Sequence, residues 1–400
     1  MKSVVITSAI RTPIGKIGGM LSSIPPEYLT KIVLEKVVNK AGIEKDLVDE
    51  IIIGQTKQST DAPNIARVAA LMAGFAEEIP AYTVHRQCSS GMQAIINAVW
   101  QIQAGYGDII IAGGVESMSM AQYYLRGARY GYGVGNAALL DPNVESQPKS
   151  QPEEIYGTFN MGTTAENLAE IYGIKREKQD EFAYSSHLKA IKAIDSGKFK
   201  NEIVPVLIER KKKDPLLFDT DEGPRRDTNL EKLSKLRPAF KENGTVTAGN
   251  SSSRNDGAAA VMLMSEEKAN ELNVKPLARF VAAGIAGVNP KIMGIGPVPA
   301  TRKVLKRSGL KLDDIGLIEL NEAFSAQSLA VIKELDLDLT KINVNGGAIA
   351  LGHPLGCSGT RITVTLLHEM LRSGIKYGLA TICVAGGLGV STIYENYGCI

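Results

Sequence analysis

Along the chain, short runs of β-branched and aliphatic residues alternate with longer stretches whose apolar positions recur at helical spacing. That alternation predicts strand–helix–strand crossovers and mostly parallel sheet. Strands are expected at residues 4–7, 50–53, 109–112, 315–320 and 379–384, and helices at 26–41, 91–103, 301–308 and 359–373. The pattern also recurs between the two ends of the chain. Lys36-Val37-Val38-Asn39-Lys40-Ala41-Gly42-Ile43 before Asp49-Glu50-Ile51 parallels Lys303-Val304-Leu305-Lys306-Arg307-Ser308-Gly309-Leu310 before Asp314-Ile315. Cys88-Ser89-Ser90-Gly91, a helix, Ala104-Gly105 and an apolar run at 109–114 parallel Cys357-Ser358-Gly359, a helix, Ser373-Gly374 and 381–387. Two similar α/β halves follow, residues 1–118 with a return at 249–271, and residues 272–400. Chance likeness between generic helix–turn–strand units is the alternative.

Residues 119–248 differ in texture. Tyr123, Tyr124, Tyr130 and Tyr132 cluster there, with several prolines and the basic run Arg210-Lys211-Lys212-Lys213. A long insertion with weak strand periodicity usually carries function on a scaffold. The basic run reads as a solvated turn. Arg225-Arg226 and Lys232, after Gly223-Pro224, suit a polyanionic ligand better, with an ordinary surface role equally open.

Composition narrows the classes. The 400 residues carry 45 Lys+Arg against 43 Asp+Glu, a formal net charge of +2. That balance excludes nucleic-acid binding by bulk charge and an acidic solvating tail. The length exceeds what one core organises. Cysteines at 88, 357, 383 and 399 are too few and too dispersed for a disulfide framework. The N-terminus reads as a strand instead of a secretory leader, and no apolar run approaches the ~18 residues of a membrane span. A cytoplasmic chain without nucleic-acid or membrane partners is expected.

Chemistry concentrates in a few places. Cys88 opens a helical stretch, where the helix N-terminus favours thiolate and small neighbours let backbone N–H groups face a common space. For a lone Cys, burial as a packing residue is the plainer reading. Residues 343–359 set His353 among closely spaced glycines, which permit close backbone approach to a ligand. Pro354 holds His353 in extended or turn backbone, where its imidazole can serve a neighbouring thiol. A phosphate loop would end in Gly-Lys-Ser/Thr, which is absent. Cys357 reads as a packing residue. Cys383-Val384-Ala385-Gly386-Gly387 ends a buried strand in a glycine turn, where open α/β sheets put active-site groups. Asn321-Glu322-Ala323-Phe324 follows another strand at the equivalent edge, with helix capping as the plain alternative. His85, Cys88, His353 and Cys357 have zinc-like spacing, but they lack a closed ligand pattern and lie among glycines, so no metal is expected.

Together these residues resemble the thiolase family. Gly113-Gly114-Val115-Glu116-Ser117-Met118-Ser119, Leu236-Arg237-Pro238-Ala239-Phe240 and Thr247-Ala248-Gly249-Asn250 extend the match, which runs from Arg11-Thr12-Pro13 to the C-terminus. The resemblance implies an α/β fold of two duplicated five-stranded domains, layered αβαβα. It also implies an inserted loop domain, residues 119–248, for coenzyme A binding and oligomer contacts. The activity implied is acyl transfer between CoA and acetyl-CoA through an acyl-Cys88 thioester, as condensation or as thiolysis of a 3-ketoacyl-CoA. In that scheme His353 takes the Cys88 proton, and Cys383 is the second acid/base at the α-carbon. Asn321 would fix a water that stabilises the thioester oxyanion with His353, and the N–H groups of Cys88 and Ala385 would form a second oxyanion site. CoA would meet Arg225 at its adenine and phosphates, and Leu236, Ala248, Gly249 and Ser252 along the pantetheine. Asn160, Met161 and Phe324 would lie near the substrate. CoA is then a substrate, no cofactor is permanently bound, and a homodimer or homotetramer is implied.

Three positions depart from the family pattern. His85 stands where Asn is commoner and reads as a hydrogen-bonding loop residue. Ala385 replaces the first Gly of the usual glycine turn, which narrows its backbone freedom. Asn160 replaces a His of short-chain biosynthetic members, which leaves room for longer acyl chains. Two rivals remain. A ketoacyl synthase pairs its Cys with two His, against which Cys383 stands. A non-catalytic CoA- or lipid-binding relative would lack one of the reactive groups, all of which are present.

Overall fold

The structure, a computed structural model, describes residues 2–399. Its strands in chain order are β1 (Val4–Arg11), β2 (Gly15–Lys16), β3 (Glu50–Gly54), β4 (Ala81–Val84), β5 (Ile109–Ser117) and β6 (Val206–Arg210). They continue with β7 (Lys213–Phe218), β8 (Asn255–Ser265), β9 (Ala278–Gly287), β10 (Leu317–Leu320), β11 (Tyr377–Val384) and β12 (Leu388–Asn396). One sheet runs β10-β11-β12-β9-β1-β8-β5-β3-β4 with β2 beside β8, and β6-β7 form a separate hairpin.

The duplication is visible in that order. In the first half β4-β3-β5-β8-β1 lie side by side, and β10-β11-β12-β9 repeat the last four positions in the second. The pairing senses agree: β3–β5 and β10–β11 are parallel, while β5–β8, β11–β12, β1–β8 and β9–β12 are antiparallel. The position matching β4 shrinks to a single parallel bridge between Ile318 and Ile342. Asn343, at φ 44°, turns the chain away before a ladder forms. The halves join edge to edge through Val5–Arg279 and Ile6–Ala278.

Two expectations need correction. The sheet is mixed instead of mostly parallel, because β8 and β12 return antiparallel into the middle of each half. β8 was not anticipated as a strand. Its sequence, Asn-Asp-Gly-Ala-Ala-Ala-Val-Met-Leu-Met-Ser, is poor in β-branched residues and buried throughout, so it shows no alternation.

Helices complete a layered stack. Ser90–Ala104 and Leu355–Ser373 share one core with residues of both halves of the sheet, including Val4, Ile110, Ala380 and Val390. Pro26–Ala41 and Ile65–Met72 pack into a second core with Ile51, Ile111 and Met262 of the first half. Pro297–Ser308 and Ser325–Leu335 pack into a third with Ile318 and Leu379 of the second half. The two central helices touch at glycines. A Cβ on Gly359 would lie 2.6 Å from Met92, and one on Gly91 would lie 2.8 Å from the Gly356 carbonyl. Cys88 and His353 each sit two residues before the first residue of one of these helices.

The insertion packs into both halves. Leu168 joins the second-half core, and Val206, Ile208 and Phe218 join the first. The buried Arg11 guanidinium of β1 binds Glu202 at 2.7 Å and Asp221 through two bonds of 2.7 and 2.8 Å. No helix among the described residues is long and apolar enough to cross a membrane.

Candidate active site

A cavity of about 170 Å³ is lined by Cys88, His353 and Leu355, by Cys383 and Ala385 at the end of β11, and by Met161 and Phe240 of the insertion. The chain folds back sharply before Cys88. Gln87 takes φ 44°, and the Ser90 hydroxyl accepts from Arg86 N at 2.8 Å while donating to Gln87 O at 2.7 Å. This turn delays the helix and leaves Cys88 half-buried at the cavity wall. Burial pushes its thiol up. The N–H groups of Ala385 and Cys88 itself, then the Lys57 ammonium, pull it back toward thiolate.

His353 is held from two sides. Its N–H donates to Asn255 Oδ1 at 3.0 Å, and its Nδ1 lies 2.6 Å from the Ser358 hydroxyl, which donates to Pro354 O at 3.0 Å. Burial, with the Arg361 charge adding, pushes the imidazole down to about 3, so it is neutral at ordinary pH. Cys383 is buried against Met293, Ala323 and Phe324, and burial followed by the nearby Cys88 charge pushes its thiol well up. The left-handed positions of the glycine turn fall on Gly386 (φ 88°) and Gly387 (φ 84°). Ala385 therefore fits without strain, and the departure there costs nothing in backbone geometry.

Asn321 and Glu322 do not cap a helix, since Phe324 is the N-cap of Ser325–Leu335. Asn321 is buried, and neither atom of its carboxamide has a partner among the described residues. Glu322 accepts from the Ser186 hydroxyl at 2.7 Å, Asn343 Nδ2 at 2.8 Å and Ile349 N at 3.2 Å, which braces the loop leading to His353. Glu116 of β5 ties the loop after β3 to the start of the helix Leu355–Ser373 by accepting from Lys57 N and Gly356 N, each at 2.9 Å.

Of the anticipated residues, Cys88, His353, Cys383, Ala385, Ser252, Met161 and Phe324 meet at the cavity. Others lie outside its wall. Arg225 and Ala248 are exposed, and Gly249 packs against Leu233 and Leu236, a residue 39% exposed. Asn160 lies beside the cavity and not in its wall. Its Oδ1 accepts from Thr163 N at 2.9 Å, which commits it to capping the helix Met161–Tyr172. It faces an adjoining recess of about 380 Å³ instead of the cavity. His85 is exposed and Cys357 is buried in the core, so the zinc-like spacing assembles no ligand set. Sequence reasoning missed Lys57, Arg254, Phe240 and Ser358. Phe240 and Ser358 stood inside quoted motifs without a role, whereas Lys57 and Arg254 lie on loops that only the tertiary fold brings to the cavity.

The family model described as "Thiolase, N-terminal domain" matches residues 4–267, and "Thiolase, C-terminal domain" matches residues 274–396. The chain belongs to the thiolase family. It is 49% identical over 391 residues to an acetyl-CoA acetyltransferase of Pseudomonas aeruginosa, covering 98% of each protein. It is 46% identical over 397 residues to a probable acetyl-CoA acyltransferase of Staphylococcus aureus, covering 99% of this chain and all of that protein. Among solved structures, the Bacillus anthracis acetyl-CoA acetyltransferase superposes with a TM-score of 0.96 at 50% identity over 99% of both chains. Human mitochondrial 3-ketoacyl-CoA thiolase, solved in complex with CoA, matches with a TM-score of 0.94 at 42% identity over 99% of this chain and 98% of that one. As a thiolase, the chain is an acyltransferase acting on CoA thioesters.

Proposed function

We propose that the cavity cleaves a 3-ketoacyl-CoA, or runs the reverse condensation, by covalent catalysis at Cys88. The observation that carries this reading is the meeting of two cysteines and one neutral imidazole at a single cavity wall. In thiolysis His353 takes the Cys88 proton as sulfur attacks the 3-keto carbon, and the bond between C2 and C3 then breaks. Cys383 gives its proton to C2, which releases acetyl-CoA and leaves acyl-Cys88. The incoming CoA thiol takes the acyl group and restores the free Cys88.

Each residue brings a property the step needs. A raised thiol beside a lowered imidazole keeps both groups neutral at rest, so the proton moves only as the S–C bond forms. The Ser358 hydroxyl lies 3.0 Å from Pro354 O and 2.6 Å from His353 Nδ1, and with its one hydrogen donated to Pro354 O it would accept a ring proton on Nδ1. Nε2 then keeps the lone pair that a base requires. The Ala385 and Cys88 N–H groups that favour thiolate also suit an acyl oxyanion. The unpartnered Asn321 carboxamide suits a bound water serving the thioester oxyanion.

CoA, bound as a substrate and not as a resident cofactor, would enter past Ser252 and Phe324. Leu236, Ala248 and Gly249 would lie along its pantetheine, with Arg225 near its phosphates. Cys88 and Cys383 work only as free thiols, which fits a reducing cytoplasm. The open edge of β4, with Tyr123, Tyr130 and Val134 exposed in the insertion, supports assembly into a homodimer or homotetramer. The test is intact mass. Mixing with acetyl-CoA should add one acetyl group, and Cys88→Ala should abolish the adduct. Wild-type protein that stays unmodified, or a variant that still acquires the group, refutes the covalent mechanism.

A further inference from the structure

The cavity wall holds charge that an uncharged acyl chain leaves unused. Lys57 and Arg254 line it, and no carboxylate does. Lys57 is committed, because its ammonium donates to Pro142 O at 2.9 Å and to the Ser146 hydroxyl. Arg254 is anchored only through its backbone, by a bridge to His353 and by accepting from Ile17 N at 3.0 Å. Arg254 is half-buried, and among the described residues its guanidinium has neither an ionic nor a hydrogen-bonded partner. Two acids of the surrounding segments are already engaged. Glu116 accepts from Lys57 N and Gly356 N, and Glu145 pairs with Arg126 at 3.3 Å.

Arg254 shares the cavity wall with Met161, Phe240 and Phe324, and no anionic acceptor for its charge lines that wall. An anionic ligand group supplies one, in the planar two-bond geometry that arginine favours. The phosphates of CoA are poor candidates. The pantetheine arm separates them from the sulfur, whereas Arg254 lines the same cavity as Cys88 and His353. The anion therefore belongs to the acyl side. Arg254, Gln147 and Phe240 also line the adjoining recess, with Glu145 there paired to Arg126, so a chain attached at Cys88 has room to run past Arg254.

We propose that this thiolase takes 3-oxoacyl-CoA thioesters whose acyl chain ends in a carboxylate, and that Arg254 pairs with that carboxylate. The inference rests on the thiolase reading of the cavity and names its substrate class. Thiolysis of 3-oxoadipyl-CoA and of 3-oxohexanoyl-CoA, which differ only in the terminal carboxylate, tests it by the ratio of their kcat/KM values. Wild type should favour the carboxylate. Arg254→Leu should lower the ratio by about tenfold to a hundredfold, the worth of one hydrogen bond to a charged group, and Arg254→Lys should restore part of it. Wild-type preference for the uncharged chain, or a ratio that Arg254→Leu leaves in place, overturns the inference. Acylation of Cys88 by acetoacetyl-CoA separates the two levels. If it occurs while the ratio fails, only the substrate class is wrong. If no thioester acylates Cys88, the covalent reading falls and takes the inference with it.

Discussion

Removal of the Ser358 hydroxyl isolates one link in the proposed proton transfer. The imidazole of His353 is 6% exposed, and its Nδ1 has the Ser358 oxygen as its partner at 2.6 Å. While the ring is neutral that bond is worth about 1 kcal/mol, but the ring becomes an imidazolium as it takes the Cys88 proton. A hydrogen bond to a charged group is worth about 1.5–3 kcal/mol, so roughly 0.5–2 kcal/mol of it exists only in the transition state. Ser358→Ala should therefore slow acylation by acetyl-CoA about 2- to 30-fold, with little change in the affinity for acetyl-CoA. Quenched-flow sampling with intact mass measures that step alone. Nitrogen NMR adds a readout that a general loosening of the helix would not produce. The chain has four histidines, so the His353 ring is assigned by difference, and wild type should carry its proton on Nδ1. An acylation rate equal to wild type, or a wild-type ring protonated on Nε2, refutes the argument.

Three more outcomes follow from the same geometry. Cys383→Ala should still acquire an acetyl group from acetyl-CoA yet lose acetoacetyl-CoA formation by about 10²- to 10⁴-fold, the range for a lost acid/base; equal loss of both steps would give Cys383 another role. Gly359→Ala places a Cβ 2.6 Å from Met92 and should cost about 1–3 kcal/mol in urea unfolding, since both central helices must shift; an unchanged midpoint would mean that the crossing is loose. His187 accepts from Arg225 N at 3.2 Å, and burial, with the Arg225 and Lys16 charges, lowers it from 6.5 to about 4. Between those values the unfolded chain binds a proton that the folded chain refuses, so the stability due to neutral His187 is lost as pH falls through the window. Its share of the slope is up to about 1.4 kcal/mol per pH unit, and His187→Gln should remove that share while leaving the one due to neutral His353. An unaltered slope from pH 6.5 to 4 contradicts that account.

Legibility in the sequence tracked locality. Pro26–Ala41 was readable residue for residue, because its apolar face, proline start and glycine stop are all local signals. β8 was not, because a strand buried on both faces in Ala, Gly and Met carries no period. The site divides in the same way. Chain-local glycines and helix starts drew attention to Cys88, His353 and Cys383, but their roles came only with the family resemblance, since a lone Cys reads as packing. The capping role of Asn160 could not be told from a substrate-facing one until the hydrogen bond to Thr163 was seen. The Ser358 contact spans only five residues, yet it became meaningful once the first turn of Leu355–Ser373 brought the hydroxyl under the ring.

The duplicated frame explains why the reacting groups come from different halves. An offset of 268 residues carries Gly91 onto Gly359 and Ile109, the start of β5, onto Tyr377, the start of β11. The contacts obey the same offset, since a Cβ on Gly91 meets Thr360 and one on Gly359 meets Met92. Under it, Ser358 corresponds to Ser90 and His353 to His85, yet the two loops do different work. In the second half the helix starts at Leu355, so Ser358 lies in its first turn and holds the imidazole. In the first half the helix starts three residues later than that correspondence, at Ser90, whose hydroxyl is spent on Arg86 N and Gln87 O. The unwound turn swings Cys88 to the cavity and leaves His85 exposed. A nucleophile needs a backbone turned outward, whereas a base needs a wound helix beneath it. One repeated loop cannot supply both, so the symmetry breaks at Gln87.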